Sequence, residues 1–183
     1  MHSHHRIGRR LLVLAAAGTL ALLAGCSTID RSTPPALERQ ASWVVLPFAN
    51  NTETPLAGNR AEAIAQALLH AQGVGAVRRA PGTAQKEALF SAGDSRRADE
   101  ALAWARGQQI RYALAGSVDE WRYKVGVDGE PAAGVTLQIL DVANGNVLWS
   151  GSGGKSGWSR EALSAVAQKL MRELLQAGLA NAR

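Results

Sequence analysis

Leu23-Ala24-Gly25-Cys26 closes an apolar run that begins at Leu11, and Cys26 is the only cysteine in the chain. The order matches a bacterial lipobox. The small side chains of Ala24 and Gly25 admit a peptidase, and the Cys26 thiol is the group that takes the lipid. Arg6, Arg9 and Arg10 supply the positive region ahead of the run. The run itself has signal-peptide length and is too short for a spanning helix. Residues 1–25 are therefore read as a lipoprotein signal peptide, with lipidated Cys26 as the first residue of the mature chain. The competing reading is a signal peptide followed by an unrelated buried cysteine.

A second group that could do chemistry is acidic. Asp119, Glu120, Asp128 and Glu130 lie on or beside one hairpin arm. Carboxylates grouped in this way attract cations. They also serve as the charged edge that deters strand-to-strand aggregation.

Catalytic sets are missing. His2, His4 and His5 leave with the signal peptide, so His70 is the one histidine of the mature chain. That count excludes a multi-histidine or His-Cys zinc site. No G-x-S-x-G elbow accompanies His70. Gly154-Lys155-Ser156 looks like the end of a phosphate loop, but Trp149 stands where the first glycine is required. The chain is read as non-enzymatic and without a cofactor or metal.

Twenty basic and 15 acidic residues give a net charge of +5. Without Arg6, Arg9 and Arg10 the excess falls to +2, which gives no argument for a nucleic-acid partner. A lone cysteine leaves no intrachain disulfide, so stability has to come from a core. Ser27, and not Asp, follows Cys26. In lipoproteins an Asp at that position retains the protein at the inner membrane, so Ser27 favours the outer membrane.

These residues need elements to hold them. Residues 26–41 are polar around Pro34-Pro35 and read as a lipidated N-terminus with a tether, about 50 Å long when extended. Residues 42–183 read as one periplasmic α/β domain. Ser42–Phe48 is a buried strand ending at Pro47. Pro55 opens a helix with Ala61, Ile64, Ala65 and Leu68 on one face, closed by Gly73. A weak strand follows at Val74–Val77. Ala84–Ala92 and Asp99–Gln109 are helical in pattern, with a break around Gly93 to Arg97.

From Ile110 to Ser156 the pattern is strand and turn. Tyr112, Leu114 and Val118 are apolar at even positions; Trp121, Tyr123, Val125 and Val127 are apolar at odd ones. A period of two changes phase only through an extra residue, which predicts a bulge or sharp bend within Gly116–Asp119. Val135, Leu137 and Ile139 form the next strand. Asn144-Gly145 signals a two-residue hairpin leading to Val147-Leu148-Trp149. Ser159 is a candidate N-cap for a last helix with Leu163, Val166, Ala167, Leu170, Met171 and Leu174 in one stripe. The whole predicts a single-domain α/β sandwich with a mixed β-sheet: a βαβ start, antiparallel β-hairpins and a C-terminal helix.

Three stretches of this β region, Tyr112–Tyr123, Gly134–Leu137 and Asp141–Trp149, resemble the PelC family of Pel exopolysaccharide export lipoproteins. Val45-Leu46-Pro47-Phe48-Ala49-Asn50-Asn51 is also similar to the start of lipoprotein activators of penicillin-binding proteins and of curli secretion lipoproteins. The PelC resemblance implies a homo-oligomeric ring, a dodecamer, on the periplasmic face of the outer membrane. It implies that the ring guides a cationic, amino-sugar-rich polysaccharide to the β-barrel exporter PelB for biofilm matrix formation. It also raises the acidic cluster from a solvated edge to a polysaccharide-guiding patch, since a ring repeats each carboxylate in every subunit. Trp149 and Trp158 are the candidates for aromatics at the membrane interface. The alternative, an activator of a penicillin-binding protein, would call for a longer tether. A curli-type channel would need amphipathic spanning hairpins that this sequence lacks.

Overall fold

The computed structural model describes residues 27–81, 92–126 and 129–183. Cys26 and Asp128 lie outside the described residues, as do Val127 and the segment read as helix at 84–91. The described chain forms a seven-stranded sheet in the order β1-β7-β6-β5-β2-β4, with short β3 also paired to β5. The strands are β1 (Ser27–Arg31), β2 (Ser42–Val45), β3 (Ala49–Asn50), β4 (Ala76–Arg79), β5 (Tyr112–Tyr123), β6 (Pro131–Asp141) and β7 (Val147–Ser156). The helices are α1 (Ala57–Ala71), α2 (Ala92–Gly107) and α3 (Leu163–Gly178). Strands β2, β4 and β5 run parallel, and β5, β6, β7 and β1 alternate in direction. This is the mixed α/β architecture that the sequence pattern predicts.

Helices cover the sheet unequally. On one face the main core joins α1 and α3 to Trp43, Val45, Phe48, Leu114, Val118, Trp121, Leu137, Ile139 and Trp149. On the other face a smaller cluster packs α2, through Ala101 and Ala105, on Val44, Leu46, Ala113, Leu140 and Val142. Buried on both sides, β2 and the first half of β5 read as continuous apolar runs. Gly73, at φ +80°, ends α1 in the left-handed conformation that favours glycine.

Several expectations are corrected. The segment read as a tether is part of the fold. β1 pairs antiparallel with β7 from Ser27 opposite Lys155 to Arg31 opposite Gly151. Leu37 is buried, and the Arg39 guanidinium donates to the carbonyls of Leu179 (3.0 Å), Ala182 (3.1 Å) and Gln72. Strand β1 lies at the sheet edge with an exposed surface, so it is held by backbone bonds and carries no apolar alternation to signal it. Helix α2 continues through Gly93 to Arg97, where a break was expected. The Asn144-Gly145 turn is longer than two residues: β6 ends at Asp141, and Gly145, at φ +75°, donates to the Asp141 carbonyl at 2.8 Å. The last helix begins at Leu163 after Ala162, and no side chain caps it, so Ser159 is not its N-cap.

The glycine-rich stretch after Trp149 is strand and not a phosphate loop. A Cβ at Gly151 would meet the Trp149 ring at 2.5 Å, and one at Gly178 would meet it at 3.0 Å. The two glycines make the slot in which the indole lies between β7 and α3. Trp149 is 1% exposed, a core residue, which corrects its assignment to a membrane interface. Trp158 is 60% exposed. Val125 is fully exposed, because β5 ends at Tyr123 and the apolar alternation does not continue into the core.

Candidate functional site

The phase change in β5 is a bulge. Val118 pairs with Val135 and Glu120 with Gly134, so Asp119 is an extra residue without a cross-strand partner. The bulge keeps Val118 and Trp121 in the core on either side of it and turns Asp119 to the opposite, open face. There Asp119 Oδ1 accepts from Ser117 Oγ (2.9 Å) and Asn51 Nδ2 (2.9 Å), and Oδ2 accepts from Thr136 Oγ1 (3.0 Å). Three neutral donors hold this exposed carboxylate in one orientation, and no cation neutralises it within these contacts. Glu120 follows beside Gly134, where a Cβ would approach the Glu120 Cβ to 3.2 Å. Arg122 Nε donates to Glu120 Oε1 at 2.9 Å, an ion pair on the surface.

The opposing wall comes from the loop between β3 and α1. Asn50 Oδ1 accepts from the Thr52 backbone N–H (3.2 Å) and hydroxyl (2.8 Å), and Thr54 Oγ1 donates to the Trp121 carbonyl at 2.6 Å. The loop ends at Leu56, a non-glycine residue at φ +60°. Between the loop and β5 lies an open cleft of about 730 Å³, lined by Thr52, Glu53, Thr54, Pro55, Asp119, Glu120, Trp121 and Arg122. Three carboxylates face it against one guanidinium, which is itself paired.

Two of the four predicted acidic residues thus meet in one place. Glu130 does not: it is exposed at the far end of the β5–β6 hairpin, where its carbonyl accepts from the Lys124 N–H at 2.7 Å. Glu53 joins the cleft instead. Sequence reasoning missed it because Glu53 lies more than sixty positions from Asp119, and only the parallel pairing of β3 with β5 at Asn50 and Val118 brings them together. The available signal was the polar Asn50-Asn51-Thr52 turn directly after a buried strand.

The open face continues the polar character. Ser117, Thr136, Ser152 and Asp30 lie in one register row across four strands, with Ser152 Oγ donating to Thr136 Oγ1 at 3.1 Å, since the Thr136 hydroxyl proton goes to Asp119. His70 sits at the end of α1, exposed and away from the cleft. Among the described residues no group of three metal-ligating side chains occurs, and no helix is long and apolar enough to cross a membrane.

No protein-family model and no curated protein matches the chain. Solved structures do match. The chain is 44% identical to the PelC dodecamer from Paraburkholderia phytofirmans in space group P6, over 86% of this chain and 99% of that one, with a TM-score of 0.72. A dodecamer of a leucine-to-methionine variant of the same protein, in space group C2, matches at 44% identity, covering 86% of this chain and 100% of that one, with a TM-score of 0.73. Lipoprotein GNA1162 from Neisseria meningitidis shares the fold at 22% identity over 77% of this chain and 99% of that one, with a TM-score of 0.54. With 44% identity over nearly the whole length of the Paraburkholderia protein, the chain belongs to the PelC family.

Proposed function

We propose that this protein is a non-enzymatic lipoprotein that forms a ring and guides a cationic exopolysaccharide to an outer-membrane β-barrel exporter of the PelB type. The observation that carries this reading is the cleft of Glu53, Asp119 and Glu120, beside an open sheet face without aromatic platforms. The two Paraburkholderia PelC structures above are dodecamers. Ring symmetry repeats each carboxylate once per subunit and sums modest local charges into a strong field around the opening. Hydroxyl-lined surface beside the carboxylates offers hydrogen bonds to a sugar chain without a stacking site on which it would stop.

The same fold supports an anchor at Cys26. Cys26 directly precedes Ser27, and Ser27 stands opposite Lys155. A lipid on Cys26 therefore leaves the sheet at the end where Trp158 and Tyr123 are exposed. Trp158 is the interfacial aromatic of this arrangement, with Tyr123 beside the same sheet end. Docking of residues 27–41 onto the sheet also shortens the reach of the domain, which favours a collar at the membrane over an activator working across the cell wall.

Light scattering of the mature protein is expected to give a high-order oligomer. Charge reversal at Glu53 and Asp119 is expected to abolish export while leaving the oligomer and the fold intact. A chain that stays monomeric at high concentration, or normal export by the reversed variant, overturns the reading.

A further inference from the structure

Glu62 lies on α1, outside the cleft, and is 2% exposed. Its Oε1 accepts from the Phe48 backbone N–H at 3.0 Å, and its Oε2 pairs with Arg79 Nη2 at 2.6 Å. A buried carboxylate is costly to desolvate even when paired, which raises the question of what it positions. Phe48 indicates the task. Pro47 interrupts the strand after β2, so the buried Phe48 N–H has no ladder partner and would be orphaned without an acceptor.

Phe48 is held at two further points. Its carbonyl lies 2.7 Å from where a Cβ on Gly58 of α1 would be, and its ring fills the space above Gly116 of β5. The next two residues are β3, which pairs with β5 only at Ser117 and Val118. Two pairs specify register weakly by themselves. Directly after them, the Asn51 N–H donates to the Val118 carbonyl at 2.9 Å and its side chain donates to Asp119.

We propose that Glu62 is a positioning residue for the acidic cleft: through the Phe48 N–H it sets β3 on β5, and thereby the Asn51 contact that orients Asp119 and the loop that carries Glu53. The functional part of this inference rests on the reading of the cleft as a polymer guide; the positional part does not. The acceptor oxygen is the essential feature, and the charge shared with Arg79 is secondary.

The test uses the full mature chain with three variants: Glu62→Gln, Arg79→Met, and the double variant Glu62→Leu with Arg79→Met, which leaves no unpaired buried cation. Two quantities are read: hydrogen exchange of the Asn51 backbone amide, and affinity for a cationic glucosamine oligomer at fixed salt. Glu62→Gln keeps an acceptor and is expected to match the wild type within about twofold in both. Arg79→Met keeps the Glu62–Phe48 bond but leaves the buried carboxylate unpaired, so global stability falls while exchange at Asn51, taken relative to the core amides, is expected to stay within about twofold of wild type. The double variant is expected to exchange Asn51 roughly tenfold faster, the equivalent of one buried hydrogen bond, and to bind the oligomer more weakly. Wild-type exchange at Asn51 in the double variant overturns the proposal. So does exchange at Asn51 that accelerates beyond that of the core amides in Arg79→Met, or failure of Gln to rescue. If the double variant does not fold, the two single variants decide, since the proposal requires both to retain Asn51 protection. If the wild type itself fails to bind the oligomer, the polymer-guide reading is wrong, and the exchange data still decide whether Glu62 positions the cleft.

Discussion

Trp149 and Trp158 stand nine positions apart at the same end of the chain, and their surroundings are opposite. Trp149 lies in a slot made by Gly151 and Gly178 and is buried against α3. Trp158 sits just beyond β7, exposed near the first sheet residue after Cys26. The same contrast runs through β5: Trp121 faces the helices while Asp119, two residues earlier, faces open solvent. Beyond the part covered by α2, one side of this sheet carries stability, and the other side and its end are open to interaction. A single bulge separates the two roles along one strand.

The contrast is broken most severely from the core side. Trp149→Ala leaves a large cavity between β7 and α3 and is expected to cost about 3–5 kcal/mol in urea unfolding. Trp158→Ala in the same assay should change stability by no more than about 0.5 kcal/mol. A similar cost for both would remove the distinction between them.

The open face sharpens it. Asp119→Ala loses three hydrogen bonds at an exposed site, with water available to the freed donors. Its stability is expected to fall by about 1 kcal/mol or less, while salt-sensitive binding of a cationic oligosaccharide falls several-fold. Calorimetric titration at two ionic strengths checks this. Unchanged binding by the alanine variant would show that the carboxylates do not act on the polymer.

A smaller effect concerns pH. Burial pushes the Glu62 carboxyl above its ordinary value of 4.5, against the lowering effect of Arg79 and the Phe48 N–H. A folded-state value raised above the unfolded one contributes stability that is complete below the unfolded value and is lost as pH rises through the folded one. The amide in Glu62→Gln does not titrate. The stability of the wild type minus that of the Glu62→Gln variant should therefore be larger at about pH 4 than at about pH 8, as read by urea unfolding at both. A difference that grows with pH would reverse the assignment of burial as the dominant cause.

The smallest expected effect is at the membrane. Trp158→Ala should weaken partition into phospholipid vesicles modestly, because acyl chains at the proposed Cys26 anchor would supply most of the affinity. Equal partition would place Trp158 outside the interface.

Periodicity carried much of the fold. The alternation in Tyr112–Trp121 demanded an extra residue, and the bulge falls at Asp119. The stripe Val166, Ala167, Leu170, Met171, Leu174 is the buried face of α3. Where apolar pattern is silent, the sequence was silent too. Strand β1 is bound by backbone hydrogen bonds at an edge, so Ser27–Arg31 looked like a tether. Trp149 could not be assigned to core or surface from its type, because the glycine on α3 that makes half its slot is distant in sequence.

The sequence alone determined the alternating strands and the phase change at the start of the Asp119 bulge, since each of these is local in pattern. Only the tertiary structure decided that Glu53 joins Asp119, that Glu130 does not, and that Glu62 reaches Phe48. Those relations depend on the pairing of β3 with β5 and on the packing of α1, contacts between segments that no local periodicity encodes.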